Sequence, residues 1–398
     1  MDSLTQITLG AAVGEVVLGR RLGNRAMLWG AIGGTIPDLD VIGNFVMSEL
    51  DALAFHRGIT HSLLFAVVAG ATVAYAVHRL YASGTYRRRW YKTLITGVNL
   101  ALLVLVAFGA WRLGSPALAL PVTILAGFLG WRLVMRYYQG KQELVVVPYH
   151  RWMLLFFLAF LTHILLDCFT AFGTQVFLPF SDVRIAFNTI AVADPVYTVP
   201  FLIMVVLAAI HHRSEQARRI LTWTGIGLSS LYLVVTVWNK HRVDQIFSEA
   251  LAHREITVER CRTSPTILNN LLWNCVAEGP EAFYVGLYSI RDSDPLLHVL
   301  NRLPKPEATY AWLEEFAAYR TLSWLSDGYL YPTVTDTAVI LSDLRYGSLR
   351  DTITNDRDMV FSFITKPDHA HFEIEQRRPR PGDLAGEFKR FWDRVLGY

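Results

Sequence analysis

Six apolar runs, at residues 62–77, 94–111, 116–135, 152–172, 196–210 and 220–238, constrain this chain more than any other feature. A bilayer span takes about 20 mostly apolar residues, and each run reaches or approaches that length. Two shorter stretches rich in Gly and Ala precede them, at 4–18 and 26–36. Small residues of this kind let helices approach closely inside a membrane. The pattern therefore predicts eight helical segments. It ends abruptly: residues 1–238 hold 18 Lys and Arg with 11 Asp and Glu, against 19 with 23 over residues 239–398. The expected fold is a membrane all-α helical bundle over 1–238, followed by a smaller soluble α+β domain over 239–398. A hydrophobic content of 53% and a mean hydropathy of +0.31 exclude a disordered chain. A net charge of +3 gives no case for a nucleic-acid partner. Three cysteines exclude a disulfide scaffold and a four-cysteine zinc site.

Lys and Arg gather in alternate connections: Arg20, Arg21 and Arg25; then Arg79, Arg87, Arg88, Arg89 and Lys92; then Arg132, Arg136, Lys141 and Arg151; then Arg213, Arg218 and Arg219. With eight crossings these four groups share one side, which the positive-inside rule makes cytoplasmic. Both termini and the soluble domain then lie outside the cytoplasm. Arg57, Arg112, Arg184, Lys240 and Arg242 fall on that outer side, outnumbered.

The unusual acids and histidines fall on the same outer side. His163 and Asp167 form H-x-x-x-D within an apolar run, and residues i and i+4 share a helix face. An ionisable residue at membrane depth is costly and points to function. In His56-Arg-Gly-Ile-Thr-His61, Gly58 can break a helix and let both imidazoles turn inward. Pro37-Asp38-Leu39-Asp40 sets two carboxylates two apart, which an extended or turn segment can aim at one centre; capping a helix is the alternative use. Asp194, before Pro195, could ligate or cap equally well, and Asp2 is a weaker candidate near the terminus. Glu15 has an arginine or a buried histidine as its expected partner. Carboxylate plus imidazole without thiolate suits Zn, Mn or Fe. Arg57 can bind a substrate phosphate or face lipid headgroups. His369-Ala-His371 has strand spacing but no third ligand nearby.

Four stretches, MDSLTQITLGAAVGE (1–15), GGTIPDLD (33–40), HRGITHS (56–62) and HILLDCFTAFG (163–173), resemble the YdjM-like membrane-bound, predicted metal-dependent hydrolases. ADPVYTVP (193–200) is also similar, and SPTILNNLLWNCVAEG (264–279) looks like the extra soluble domain of longer members. The resemblance covers most of residues 1–210. It implies a metal-dependent hydrolase of a bacterial-type inner membrane. Several relatives carry a His near the N-terminus where this chain has Gln6. A more distant analogy runs to zinc-dependent phospholipase C, which is also helical and rich in His/Asp metal clusters.

The expectation is a membrane metallohydrolase acting on a lipid or other phosphoester at the outer face. Its metal ligands are drawn from Asp38, Asp40, His56, His61, His163, Asp167 and Asp194, with Zn first and Mn or Fe as alternatives. Asp38, Asp40, His61 and Asp167 are the catalytic candidates, and Arg57 is the substrate-binding one. Membrane lipid is the expected partner. Two other readings use the same sequence: a metal-ion-binding protein or transporter without hydrolysis, and a structural or signalling protein working through residues 239–398. In that C-terminal part, 271–277 and 282–290 flank a Glu-Gly-Pro-Glu turn and predict a hairpin. Strands are also expected at 337–344, 359–366 and 371–377, and helices at 307–318 and 383–396. Outside the cytoplasm, Cys261 and Cys275 could form a disulfide between neighbouring strands.

Overall fold

A computed structural model describes residues 1–398 except 113, 141–143, 295, 296, 298, 337, 349, 366–373, 378–383 and 398. His369 and His371 lie outside the described residues. The chain forms two compact units, one of residues 1–69 with 157–398, the other of residues 70–156.

The first unit begins with helices α1 (Ser3–Leu22) and α2 (Asn24–Thr35), turned at Gly23 with φ +58°. They pack backbone to backbone. A Cβ on Gly14 would stand 2.1 Å from the Ala26 carbonyl oxygen, and one on Gly10 would stand 2.3 Å from that of Gly30. This is why Gly recurs every fourth residue at Gly10, Gly14, Gly30 and Gly34: only a missing side chain permits such contact. A 3-10 segment (Pro37–Phe45), helix α3 (Glu49–Phe55) and a short 3-10 turn (Ile59–His61) follow. Helix α4 (Leu63–Ala82) then carries the chain into the second unit.

The second unit holds helices α5 (Arg89–Arg112) and α6 (Pro116–Leu133). Their apolar side chains point outward, Val104 at 68% and Ile124 at 69% exposure, as expected of helices whose solvent is lipid. Its small core is aromatic: Tyr81 stacks on Tyr86 at 4.7 Å and leans on Trp152 at 5.0 Å. Helix α7 (Tyr149–Cys168) returns the chain to the first unit.

There α8 (Pro195–Ile210) and α9 (Glu215–His253) complete the helical part. Glu15 of α1 forms a buried ion pair with Arg218 of α9, the Nε donating to Oε1 at 3.0 Å. The apolar run ends at residue 238, but α9 continues for fifteen more residues. Its last turns bury Val243, Phe247, Ala250 and Leu251 against Trp273, Cys275 and Ala277 of the following sheet. The point where charge density changes therefore lies inside one helix.

Strands β1 (Arg260–Pro265), β2 (Leu272–Glu278), β3 (Ala282–Ser289) and β4 (Asn301–Pro304) form an antiparallel meander. Helices α10 (Glu307–Glu314) and α11 (Ala317–Leu325) replace the single expected helix. A second antiparallel sheet runs through β5 (Leu330–Val334), β6 (Val339–Asp343), β7 (Ser362–Thr365) and β8 (Ile374–Gln376), before α12 (Leu384–Val395). The expected hairpin is β2–β3, while β1, β4 and β5 carry no clean alternation and went unread. Cys261 and Cys275 do lie on neighbouring strands, but Cys275 faces Thr263 and Cys261 faces Ala277. That diagonal offset sets Cα atoms roughly 7–8 Å apart, too far for a relaxed disulfide. Both thiols are free.

All eight expected segments are helical. Among the described residues, five helices are long and apolar enough to cross a membrane, and α8, with 16 residues, is a shorter apolar helix, so a count of eight spans is not confirmed. Helix α1 packs on α2 through its glycines and buries Gln6 and Glu15, while Leu4, Ile7 and Val16 stay exposed. Helix α2 has 12 residues, about 18 Å, short of a bilayer's hydrocarbon core.

Candidate metal centre

Four side chains from separate parts of the first unit converge: Asp38, His61, His163 and Asp167. Helix α7 supplies two, one turn apart. The other two come from the turns that follow α2 and α3. A 3-10 turn advances about 120° per residue, so residues i and i+2 diverge. The segment after Pro37 accordingly sends Asp38 to the cluster and Asp40 elsewhere.

The donor atoms are two nitrogens and two oxygens. His61 Nε2 lies 3.1 Å from His163 Nε2, 3.4 Å from Asp38 Oδ1 and 3.4 Å from Asp167 Oδ2. His163 Nε2 lies 3.4 Å from Asp38 Oδ1 and 3.6 Å from Asp167 Oδ2. Four donors placed tetrahedrally at zinc bond lengths stand roughly 3.3–3.4 Å apart. Two imidazole Nε2 atoms can face each other at 3.1 Å only with a proton or a cation between them. Asp167 Oδ2 is moreover buried without a hydrogen-bond partner among the described residues. The donor set thus fits a divalent ion of the Zn, Mn or Fe type.

Three of the four side chains are oriented from behind. His163 Nδ1 donates to the Gly34 carbonyl at 2.7 Å, one of the free carbonyls at the end of α2. That contact leaves Nε2 with its lone pair toward the cluster, the usual outer contact of a metal-binding histidine. Asp40 accepts from His56 Nδ1 at 2.8 Å, from the Arg57 N–H at 3.0 Å and from Thr60 Oγ1 at 3.0 Å. Its Oδ2 is 3.4 Å from His61 Nδ1, so Asp40 backs His61. Asp167 Oδ1 accepts from Gln6 Nε2 at 3.0 Å and from the Met1 amino group. Gln6 therefore orients a carboxylate in this chain.

Burial alone would raise the Asp38 and Asp40 carboxyls. Hydrogen bonds from His163 and His61 to Asp38, and from His56 and His61 to Asp40, outweigh it and hold both well below the usual carboxylate range. Burial alone would lower His61; its bonds to Asp167, Asp38 and Asp40 prevail and raise it to about 10.

Arg57 adopts a left-handed φ of +57°, rare for a residue with a side chain and common at functional sites. It is buried, with Nη1 donating to Thr170 Oγ1 at 2.7 Å and Nε 3.1 Å from Asp167 Oδ2. His56 stays outside the four, its ring centroid 6.0 Å from that of His61. Asp194 is also outside: it caps α8 through Val196 N and Tyr197 N and accepts from the Tyr232 hydroxyl at 2.9 Å. Asp2 caps α1 through Thr5. Gln6 was legible only as a departure from a pattern, since nothing in local spacing links it to Asp167.

The family model described as YdjM inner membrane protein matches residues 1–243, which include every residue of this cluster. No curated protein and no solved structure matches the chain.

Proposed function

The chain belongs to the YdjM inner membrane protein family, a family of membrane proteins, and on that premise we propose that it is a metal-dependent hydrolase acting on phosphoesters, lipid-linked ones foremost. The observation that supports this reading is the set of four donor atoms, five of whose six separations are 3.1–3.6 Å and all of which lie within 4.8 Å of one another. Asp38, His61, His163 and Asp167 would hold the ion. When bound, it would supply Lewis-acid polarisation of a phosphoryl oxygen and lower the pKa of water.

The chain's own residues do the rest. Asp40 and the Gly34 carbonyl fix the two imidazoles, so the site is organised before substrate arrives. Asp38 is the least enclosed of the four, with 15% of its side chain exposed against 0–1% for the others. Substrate approaches from its side. Arg57, fixed against Asp167, neutralises charge growing on the phosphoryl oxygens. In this reading the site opens at the outer leaflet and the C-terminal domain lies outside the cytoplasm: whatever the number of spans, α4, α7 and α9 carry their basic ends, at Arg79, Arg151 and Arg218 with Arg219, away from both.

The test is elemental mass spectrometry of detergent-purified protein, paired with hydrolysis of short-chain phosphatidic acid. Wild type should hold stoichiometric Zn, Mn or Fe, and both His61→Ala and His163→Ala should lose it together with turnover. Equal trace metal in all three proteins would sink the proposal.

A further inference from the structure

The turn that ends α7 is surrounded by arginines from distant parts of the chain. The Arg57 guanidinium lies 5.3 Å from the Phe172 ring centroid, and that of Arg184 lies 4.9 Å from the same centroid. Arg262, from β1, donates through Nη2 to the Ala171 carbonyl at 2.6 Å and to Asn188 Oδ1. Three guanidinium groups thus meet at residues 171–172, next to the metal cluster through Arg57.

Their charge is poorly answered. Asp343 is committed to Arg345, at 2.9 Å from its Nε and 2.7 Å from its Nη2. Asp327, 65% exposed, is 3.7 Å from Arg262 Nη1 and 3.8 Å from Arg260 Nη1. Asp167 belongs to the metal cluster. Arg184 has no acidic partner among the described residues; its Nη2 donates to the Ala54 and His56 carbonyls, both at 3.2 Å. Phe172 and, at 5.1 Å, Trp324 pack on Arg184, yet stacking leaves the in-plane N–H groups unserved. Arg184 Nε and Nη1, and Arg262 Nε, are buried donors without a partner among the described residues. Burial, with Arg345 and Arg57 nearby, lowers Arg184 to about 9. Leaving buried cationic donors unpaired costs far more than a scaffold role needs, since an apolar side chain would fill the slot between the two rings.

We infer that Arg57, Arg184 and Arg262 form the receptacle for a phosphate group. It rests on the phosphoester reading above and deepens it: Arg184 and Arg262 become the specificity residues for the anionic end of the substrate. Several guanidiniums converging from different elements suit a phosphate, with its many acceptor oxygens, better than a planar carboxylate. The phosphate can come from a lipid or from a soluble ester. The lipid is the source we adopt, because a cavity of about 1010 Å³ reaches Ala171, whose carbonyl accepts from Arg262. None of the three arginines lines it; its wall is largely apolar, with Val360, Phe361, Phe388 and Phe391, and also carries Arg350, Arg357 and Arg390. In this proposal the cavity takes the acyl chain.

Calorimetric titration of the full chain in a neutral detergent tests this, with inorganic phosphate and dihexanoyl phosphatidic acid as probes. Each titration is run with and without a chelator, so that binding to an ion is separated from binding to arginine. Wild type should bind both probes in chelator, phosphatidic acid more tightly. Arg184→Gln should weaken both at least tenfold, Arg184→Lys should recover part, and metal content should match wild type. The unliganded Arg184→Gln protein should melt no lower than wild type, because the substitution removes an unpaired buried charge. A lower melting temperature with unchanged affinity would make Arg184 structural and overturn the inference. So would failure of wild type to bind phosphate in chelator. Equal affinity for the two probes would keep the pocket and assign it to a soluble ester. Normal phosphate binding by a wild type that holds no metal would sink the metallohydrolase reading and leave the pocket standing.

Discussion

The α1–α2 hairpin and the α5–α6 pair are both apolar helical pairs, and they are built on opposite principles. In the hairpin, glycines bring backbones into contact, and Gln6 and Glu15 are buried with partners in other helices. In α5 and α6 the glycines at 97, 109 and 127 have nothing within 4 Å of an added Cβ, and large apolar side chains face outward. One pair is held together by backbone contact, the other turns most of its large apolar side chains outward. Apolar composition alone does not separate them; what separates them is where small and polar residues recur.

Substitutions that should do great harm in one pair and little in the other sharpen this comparison. Gly14→Val places a side chain where the Ala26 carbonyl oxygen already stands, 2.1 Å from the Cβ. Neither backbone can give way, so the purified variant should fail to give a monodisperse peak in detergent chromatography. Glu15→Gln strips a buried arginine of its counter-charge, a loss of about 3–5 kcal/mol. A melting temperature within 2 °C of wild type, on the order of 0.5 kcal/mol, would refute the pairing.

Next in size comes the proton on His61. Its folded-state value of about 10 exceeds the ordinary 6.5, so in the metal-free protein it adds stability below pH 6.5 that fades as pH rises through about 10. A divalent ion must displace that proton, so metal affinity should climb about tenfold per pH unit from neutrality toward pH 10. A flat profile in chelator competition would dismiss this account. Asp40→Asn, which weakens the support behind His61, should lower metal affinity by about 10–100-fold at constant pH. The smallest effect belongs to the lipid-solvated pair. Gly109→Ala should leave folding and metal content intact and add up to about 1 kcal/mol of stability.

Local spacing made part of this architecture legible. His163 and Asp167 are one helical turn apart, and the Gly58 break lets His61 turn inward. The placement of Asp38 apart from Asp40 was not legible, because it depends on a 3-10 turn rather than an extended one. Arg184 and Arg262 left no trace in the sequence, since nothing local joins a residue before α8 to one on β1. The count of spans is not confirmed at α1 and α2 for a related reason: the hydropathy of a Gly/Ala-rich helix does not tell whether its neighbour is lipid or another backbone. The β2–β3 hairpin was readable from its turn, whereas the edge strands β1 and β4 lacked alternation.

Helix α9 has 39 residues, about 58 Å as a straight helix, and it is interrupted nowhere between its apolar part and the sheet it enters. In mechanical terms it is a lever without a joint. Spans answer a thicker or thinner bilayer by changing tilt, and a stiff rod carries that tilt to its far end. A change of tilt at the apolar end of such a rod would be carried to the β1–β4 sheet at the other.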